Sequence, residues 1–593
     1  MKDHHRRKRS GGGDLYGWWR RWGRFFLFSL SVFLFSSFAF SPSLRIFRES
    51  FRPVLLSTWR NPPPLSASST TTTISDDHPT VDRRLLSPHP SLEIRDAVNF
   101  PDQTLLFLKH PPSPLEFAKH TIHCAYYPPS STSPSLHLPP ISIDAQILRC
   151  PTPPRGFLVS VSFDRSDGRH PPPSHPHQWH SLAYEAVIDS KDNTTVVFVK
   201  GLNLRPERLA DASRFACVYG WDFSRPRYLL TSDALSVAQE IVRCRTPLSV
   251  LNPKPNSTSS VIKASVIFKR FRAPPLVVPS VARPAPVPPA RRRRAHALCA
   301  CTMVRNQARF LREWVTYHAR VGVERWFVYD NNSDDDIEAT VDSMAFNVTR
   351  HPWPWIKTQE AGFAHCALRA RAACEFKTQE AGFAHCALRA RAACEWVAFI
   401  DVDEFLHLPN RTAVASMREV LAEQPGDIGE VRASCHSFGP SGRKRAPARG
   451  VTAGYTCRMA SPERHKSIVR PEALDDSLMN VVHHFHLREG FGYVNLERSS
   501  VVINHYKYQV WEVFKEKFYR RVATYVADWH DKENEGSKDR APGLGTEAVE
   551  PPNWAGRFCE VHDTGLRDWV IREFAEPGKG RLSWEVGGGR RRD

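Results

Sequence analysis

The sequence predicts an α/β domain built on a mostly parallel sheet, preceded by an antiparallel domain of β-sandwich type and by a single N-terminal transmembrane helix. Three observations carry that expectation. Residues 25–40 form a run without a charge, seven of them Phe. Residues 99–251 hold short apolar runs separated by Pro, Gly and Asp, the pattern of antiparallel strands. Beyond residue 296 apolar runs alternate with helical periodicity, as in a sheet covered on both faces.

The 593-residue chain has 81 Lys+Arg against 62 Asp+Glu, a formal charge of +19. The excess is clustered in residues 1–24, in Arg291–Arg294, at Arg443, Lys444, Arg445 and Arg449, and in Arg590–Arg592. Charge placed in tails, linkers and loops builds no single binding face, so no nucleic-acid partner is expected.

The apolar run starts the chain's organisation. Residues 1–24 are a basic tail and 25–41 the span, with Arg20, Arg21 and Arg24 at its start and Trp18, Trp19 and Trp22 at interfacial depth. Basic residues on the N-terminal side keep that end cytosolic and turn the rest toward a lumen, giving a single-pass type II protein. A cleaved signal peptide is the rival reading, but its basic region would be unusually long and Pro42 follows its only small-residue site. Residues 42–98, with Pro62-Pro63-Pro64 and a Ser/Thr tract, read as an extended stem.

The β-rich domain is placed at 99–272, with strand candidates at 104–108, 141–148, 156–163, 183–188, 195–199 and 215–219. Cys124, Cys150, Cys217 and Cys244 form no tight CxxC pair, which suits disulfides in an oxidising compartment better than zinc and leaves three pairings open. No catalytic constellation falls here; a carbohydrate-binding and a purely structural role fit equally. A Pro/Arg-rich linker at 273–295 follows, then the α/β domain at 296–577 and a basic tail at 578–593.

Within the α/β domain, 297–304, 326–329 and 396–400 read as buried strands and 307–321 as a helix with one apolar face. Lys357–Glu375 (KTQEAGFAHCALRARAACE) recurs unchanged as Lys377–Glu395. Twenty residues at ~100° each leave the copies rotated by about 200° in one continuous helix, so both cannot bury the same stripe. The expectation is that the second copy, which runs into the strand at 396–400, packs natively while much of the first is extruded.

The chemistry gathers at strand ends, where open α/β sheets bind ligands. Asp401-Val-Asp403-Glu404 follows the 396–400 strand, and carboxylates at i and i+2 there suit one Mn²⁺ or Mg²⁺ that keeps positions open for phosphate oxygens. Asp403 as the cap of a turn is the plainer reading. Asp330 closes the 326–329 strand and suits a base or ribose hydroxyl; Asp334–Asp336 read as a solvated turn and helix start. Arg305 and Asn306 open the 307–321 helix, where backbone N–H groups and a guanidinium suit a phosphate. His505 and Lys507 follow an apolar strand, offering a third metal ligand and a point charge for phosphate. A structural His and a surface Arg are the plain readings of those sites. His483, His484 and His486 suggest zinc, but no cysteine pair supports it.

Taken in order, CTMVRNQARFLREWVTYH, GVERWFVYDNNSDDD, WPWIKTQEAGFAHCALRAR, WVAFIDVDEF, KSIVRP and VINHYKY resemble plant members of glycosyltransferase family 92, which includes the pectic β-1,4-galactan synthases. The resemblance covers about 297–577. It implies a GT-A-like nucleotide-sugar-binding domain, a UDP-sugar donor (UDP-galactose first), a divalent cation, a cell-wall polysaccharide or glycan acceptor and a Golgi membrane location, with a homodimer as an expectation for its assembly. By position, Asp401 and Asp403 take the metal role, Asp330 the nucleotide-side acidic role, and His505 the late His of the metal shell. A β-linked product from an α-linked donor implies inversion and a carboxylate base; Glu489 is the candidate, with Glu472 as an alternative. The duplication leaves Gln359/His365 and Gln379/His385 as rival site residues. It also keeps a catalytically inactive lumenal glycan-binding protein as the competing reading.

Overall fold

The computed structural model describes residues 92–585 apart from 112–120, 130, 145, 164–173, 203–209, 224–228, 253–261, 270–275, 288–293, 357–377, 412–414 and 526–548. The basic tail, the expected span at 25–41, most of the stem and the first repeat copy therefore lie outside the described residues. Among those described, no helix is long and apolar enough to cross a membrane.

The β-rich region is antiparallel in most of its pairings. A five-stranded sheet and a three-stranded sheet share a core of Leu106, Leu148, Tyr126, Val159 and Val161. Cys124 of one sheet bonds to Cys150 of the other, so this pair is a small sandwich with a staple across it. An eight-stranded sheet follows, with its own core and the Cys217–Cys244 disulfide. Those bonds choose among the three pairings the sequence left open.

Three expectations need correcting here. Strand Ile94–Asn99 lies in the expected stem and pairs with Gln103–Leu108, because Ala97 and Val98 are buried by that pairing. The single run at 141–148 is a hairpin in which Asp144 pairs with Ile147. The Pro-rich linker also contributes: Pro284–Pro286 adds to the edge of the eight-stranded sheet beside Leu182–Asp189, the position where a residue without an N–H is tolerated.

The central sheet of the α/β region has nine strands among the described residues: β1 (His296–Val304), β2 (Arg325–Asp330), β3 (Val348–Pro352), β4 (Cys394–Phe399), β5 (Glu404–His407), β6 (Ile428–Ser437), β7 (Arg464–Val469), β8 (Gly492–Asn495) and β9 (Val502–His505). Their order is β3-β2-β1-β4-β7-β6-β9-β5, with β8 beside β6. β7 and β5 run antiparallel to their neighbours and the other pairings are parallel. Helix α1 (Ala308–Val321) crosses from β1 to β2 and buries Leu311, Trp314, Val315 and His318. The order reverses between β1 and β4, and there the ends of β1, β2 and β4 open at one edge.

Period-2 alternation sorts the strands onto two cores. Leu298, Ala300, Trp396, Ala398 and Ile400 enter the core beneath α1. Cys299, Cys301, Val397 and Phe399 enter the other, which also takes in Phe107, Trp179, Tyr184 and Phe198 from the β-rich region. The two regions thus share one core.

Helix α2 (Thr378–Ala390) lies in that shared core. It comes from the second repeat copy and buries residues on every face, Glu380, Ala381, Phe383, Ala384, His385, Ala387 and Leu388 among them. Small side chains permit this: Gly382 sits where a Cβ would meet Met303, Trp353 and Tyr329. Cys386 is bonded to Cys301 of β1, and Cys394 to Cys299.

Because the second copy fills this place, a chain lacking residues 357–376 is expected to unfold cooperatively and keep both disulfides. Shortening one connection by that much should change stability by about 1 kcal/mol or less. Calorimetry with disulfide mapping checks this; loss of the cooperative transition would contradict it.

Candidate active site

At the reversal point, the turn after β1 is held by its neighbour. Asn306 has φ +52°; its N–H donates to Ser333 Oγ (3.0 Å) and its Oδ1 accepts from the Asp334 N–H (2.7 Å). Asp335 accepts from the Ala308 N–H (2.8 Å) and so caps α1 from the adjacent loop. Arg305 is exposed beside it.

Asp330 ends β2 as expected, but its carboxylate is taken. Oδ1 accepts from the Ser333 N–H (3.0 Å), and Oδ2 accepts from Arg350 Nε (2.9 Å) and lies 2.8 Å from its NH2 nitrogen. Arg350 also grips both oxygens of Asp144 in the β-rich region (3.0 and 2.6 Å). The nucleotide-side role expected for Asp330 is therefore corrected: this 3%-exposed group is a strut between the two regions. Asn331, in a glycosylation triplet, is half-buried and also engaged, its amide donating to the Trp353 and Trp355 carbonyls (2.7 and 3.0 Å).

The Asp401–Glu404 turn sits beyond β4. The Asp401 N–H donates to Glu404 Oε2 and the Glu404 N–H to the Asp401 carbonyl, both at 3.0 Å, which locks the turn. Glu404 opens β5 and pairs with His505 of β9, so the strand ladder itself delivers His505 to the turn. His505 Nε2 lies 3.5 Å from Asp403 Oδ2, and the Tyr506 N–H donates to the Asp403 carbonyl (2.8 Å). Asp403 and His505 are brought together, on the turn that Asp401 opens.

Four further groups complete the cluster, of which Lys466 and Lys517 were missed in the sequence. Gln379, in the first turn of α2, donates from Nε2 to Asp401 Oδ1 (2.8 Å). His483 Nδ1 donates to the Phe399 carbonyl (2.7 Å), which leaves Nε2 facing Asp401 Oδ2 at 3.5 Å. Lys466 of β7 reaches Glu404 Oε1 (2.6 Å) and Asp401 Oδ2 (3.9 Å). Lys517 of α3 (Trp511–Tyr525) contacts Asp403 Oδ2. Gln379 could have been singled out only by deciding between the repeat copies. Lys466 and Lys517 carry no local signal, since the fold alone brings them near; His483 stood out only with His484 and His486, as a zinc ligand and not as a partner of Asp401.

Electrostatics follow from these contacts. Burial would raise the Asp401 carboxyl, but His483 and Lys466 outweigh it and hold the group below its ordinary range. Burial likewise opposes ionisation of Asp403, and Lys517 and His505 pull it well down. Lys466 is held above its ordinary value against burial by Glu404 and Asp401. The site thus presents ionised carboxylates facing imidazoles.

That donor set fits a divalent cation. Asp403 and His505 face one another with an ammonium already against the shared carboxylate oxygen, and Asp401, Glu404 and His483 offer ligand atoms within 4.8 Å of one another. Mixed oxygen and imidazole donors suit Mn²⁺; Mg²⁺ prefers oxygen.

Two expected residues are placed otherwise. Glu489 is exposed in a turn before β8, where the Gly492 N–H donates to the Asp427 carbonyl at the amino end of β6. His505 lies at the opposite end of the sheet, so Glu489 as catalytic base is corrected. Glu472 is also exposed at that far end, paired with Arg294. Lys507 is at the right edge but binds Glu463 (2.7 Å). Of the rival pairs, Gln379 lines the cluster while His385 lies deeper, bonded through Nδ1 to the Tyr329 hydroxyl (2.7 Å); Gln359 and His365 lie outside the described residues.

The glycosyltransferase family 92 model matches residues 294–540. A family 92 protein of Ricinus communis is 51% identical over 582 residues, covering 95% of this chain and 98% of that one. One of Oryza sativa subsp. japonica is 48% identical (93% and 92% covered), and one of Arabidopsis thaliana 46% identical (84% and 85%). Among solved structures, glucosyl-3-phosphoglycerate synthase of Mycobacterium tuberculosis with Mn²⁺ and UDP aligns at 15% identity and a TM-score of 0.21, covering 38% of this chain and 77% of that one, too low a likeness to argue from.

Arg350→Ala would leave Asp330 and Asp144 without their shared cation. It is expected to destabilise the chain by about 3–5 kcal/mol, since one partner of a buried pair is removed. Denaturant unfolding measures this; a change under about 1 kcal/mol would contradict the strut.

Proposed function

The chain belongs to glycosyltransferase family 92 and is a glycosyltransferase, and on that footing we propose that it transfers a hexose, galactose first, from a UDP-sugar to a cell-wall polysaccharide or glycan acceptor. The observation that carries this reading is the convergence of Asp401, Asp403 and His505 at the edge where the sheet order reverses. The order β3-β2-β1-β4-β7-β6-β9 is read as a GT-A arrangement, and Mn²⁺ or Mg²⁺ would be held by Asp401, Asp403 and His505.

When bound, such an ion supplies positive charge against a leaving diphosphate. The chain's own residues supply the rest. Gln379 and the reciprocal Asp401–Glu404 bonds hold the first carboxylate in place. Lys466 offsets the buried charge of Glu404. Lys517 and Lys507 bring two further ammonium groups to the same edge, and Arg305 and the Asn306 turn flank it as a phosphate-binding rim. Inversion at the anomeric carbon is part of the proposal, with a base other than Glu489.

The location is proposed as the Golgi lumen, through a type II anchor at 25–41, as a monomer or homodimer. The five disulfides among the described residues support an oxidising compartment.

Release of UDP from a panel of UDP-sugars by the purified chain tests the reading. Chelation should abolish release and Mn²⁺ restore it. Asp403→Asn should lower turnover by roughly 100-fold or more with the melting temperature kept. Full transfer by chelated enzyme would overturn the metal-dependent proposal.

A further inference from the structure

We propose that Glu430, His465 and His484 form a zinc site separate from the Asp401–His505 cluster. The strand ladder builds it. Glu430 and Arg432 of β6 and His465 and Ser467 of β7 occupy one face, with Arg432 opposite Ser467. The intervening Val431, Ala433 and Ile468 enter the core, and Lys466 turns to Glu404. His484, on the short strand His484–Phe485, meets that polar face, its ring 4.4 Å from that of His465.

One ligand atom from each of the three residues lies within 4.8 Å of the others. Hydrogen bonding settles which nitrogen of His484 is free. Ser467 has one hydroxyl proton and gives it to Glu430 Oε1, a carboxylate oxygen that can only accept. His484 Nδ1, 3.3 Å from Ser467 Oγ, must therefore carry the proton of that contact, which leaves the Nε2 lone pair open. His465 Nε2 is buried and has no hydrogen-bond partner among the described residues. An unmet imidazole nitrogen in a buried place is what a missing ligand-bound ion leaves behind.

The surroundings have the form of an outer shell. Arg432 donates to Glu430 Oε2 (2.8 Å) and stacks on Tyr493, its guanidinium carbon 3.5 Å from the ring centre, while Ser467 orients both Glu430 and His484. Two imidazoles and one carboxylate with a position left open match zinc's three-ligand sites, whereas Mg²⁺ and Ca²⁺ call for oxygen. An ion here would also fix the strand that follows His483 and so steady that imidazole against Asp401.

The test uses the full chain, stripped with chelator and reloaded with Zn²⁺ alone or Co²⁺ alone. The wild type should retain zinc here after gel filtration and, with Co²⁺, show the intense visible band of a four-coordinate site. His465→Gln/His484→Gln should lose one equivalent of zinc and that band while still taking up Mn²⁺. Ser467→Ala, which keeps all three ligands, should weaken zinc about 10-fold or more, seen as a smaller zinc-dependent rise in melting temperature. Unchanged zinc in the double variant, zinc lost only in Asp403→Asn, or no zinc-dependent shift in wild type would each overturn the proposal.

Discussion

Everything at the ligand edge depends on one helix being clamped between two sheets. Thr378–Ala390 has no wet face: the nine-stranded sheet lies on one side and the β-rich region on the other. A helix buried all round needs small residues for close approach and partners for its polar side chains. Ala381, Gly382, Ala384 and Ala387 meet the first need. His385, bonded to Tyr329 and packed beside His351 and Trp353, meets the second, and burial holds its imidazole neutral well below its ordinary range. The position of Gln379 against Asp401 follows from the clamp.

The same clamp explains why the β-rich region is no detachable module. Trp179 stacks on Trp355 at 5.4 Å, Tyr184 packs on both, and Arg391 beyond the helix pairs with Asp189 of the β-rich sheet. Arg350 adds a bidentate tie to Asp144. The packing of the β-rich region thus also determines where the edge that carries Asp401 lies.

Much of this was legible in the chain. The strands ending at Val304, Asp330 and Phe399 show as apolar runs because they are buried on both faces, and Asp401 and Asp403 stand out because they interrupt such a run. His505 was legible for the same reason. Long-range partners were not: His483 reaches Asp401 only because its segment folds back past β7, and Lys517 arrives from a helix 114 residues after Asp403. Glu489 misled because a carboxylate after an apolar run looks alike at either end of a sheet. Asp330 was rightly placed but wrongly left open, since nothing near it in sequence announces Arg350.

The central claim is that the Asp401–Asp403–His505 edge holds a divalent cation together with a nucleotide's phosphates. Calorimetric titration of Mn²⁺ into the metal-stripped chain, with and without UDP, measures that coupling directly. The account predicts that UDP tightens Mn²⁺ binding by 5-fold or more, on the order of 1 kcal/mol of linkage, and that His505→Ala removes the effect. Mn²⁺ affinity indifferent to UDP, or coupling that survives in His505→Ala, would contradict it.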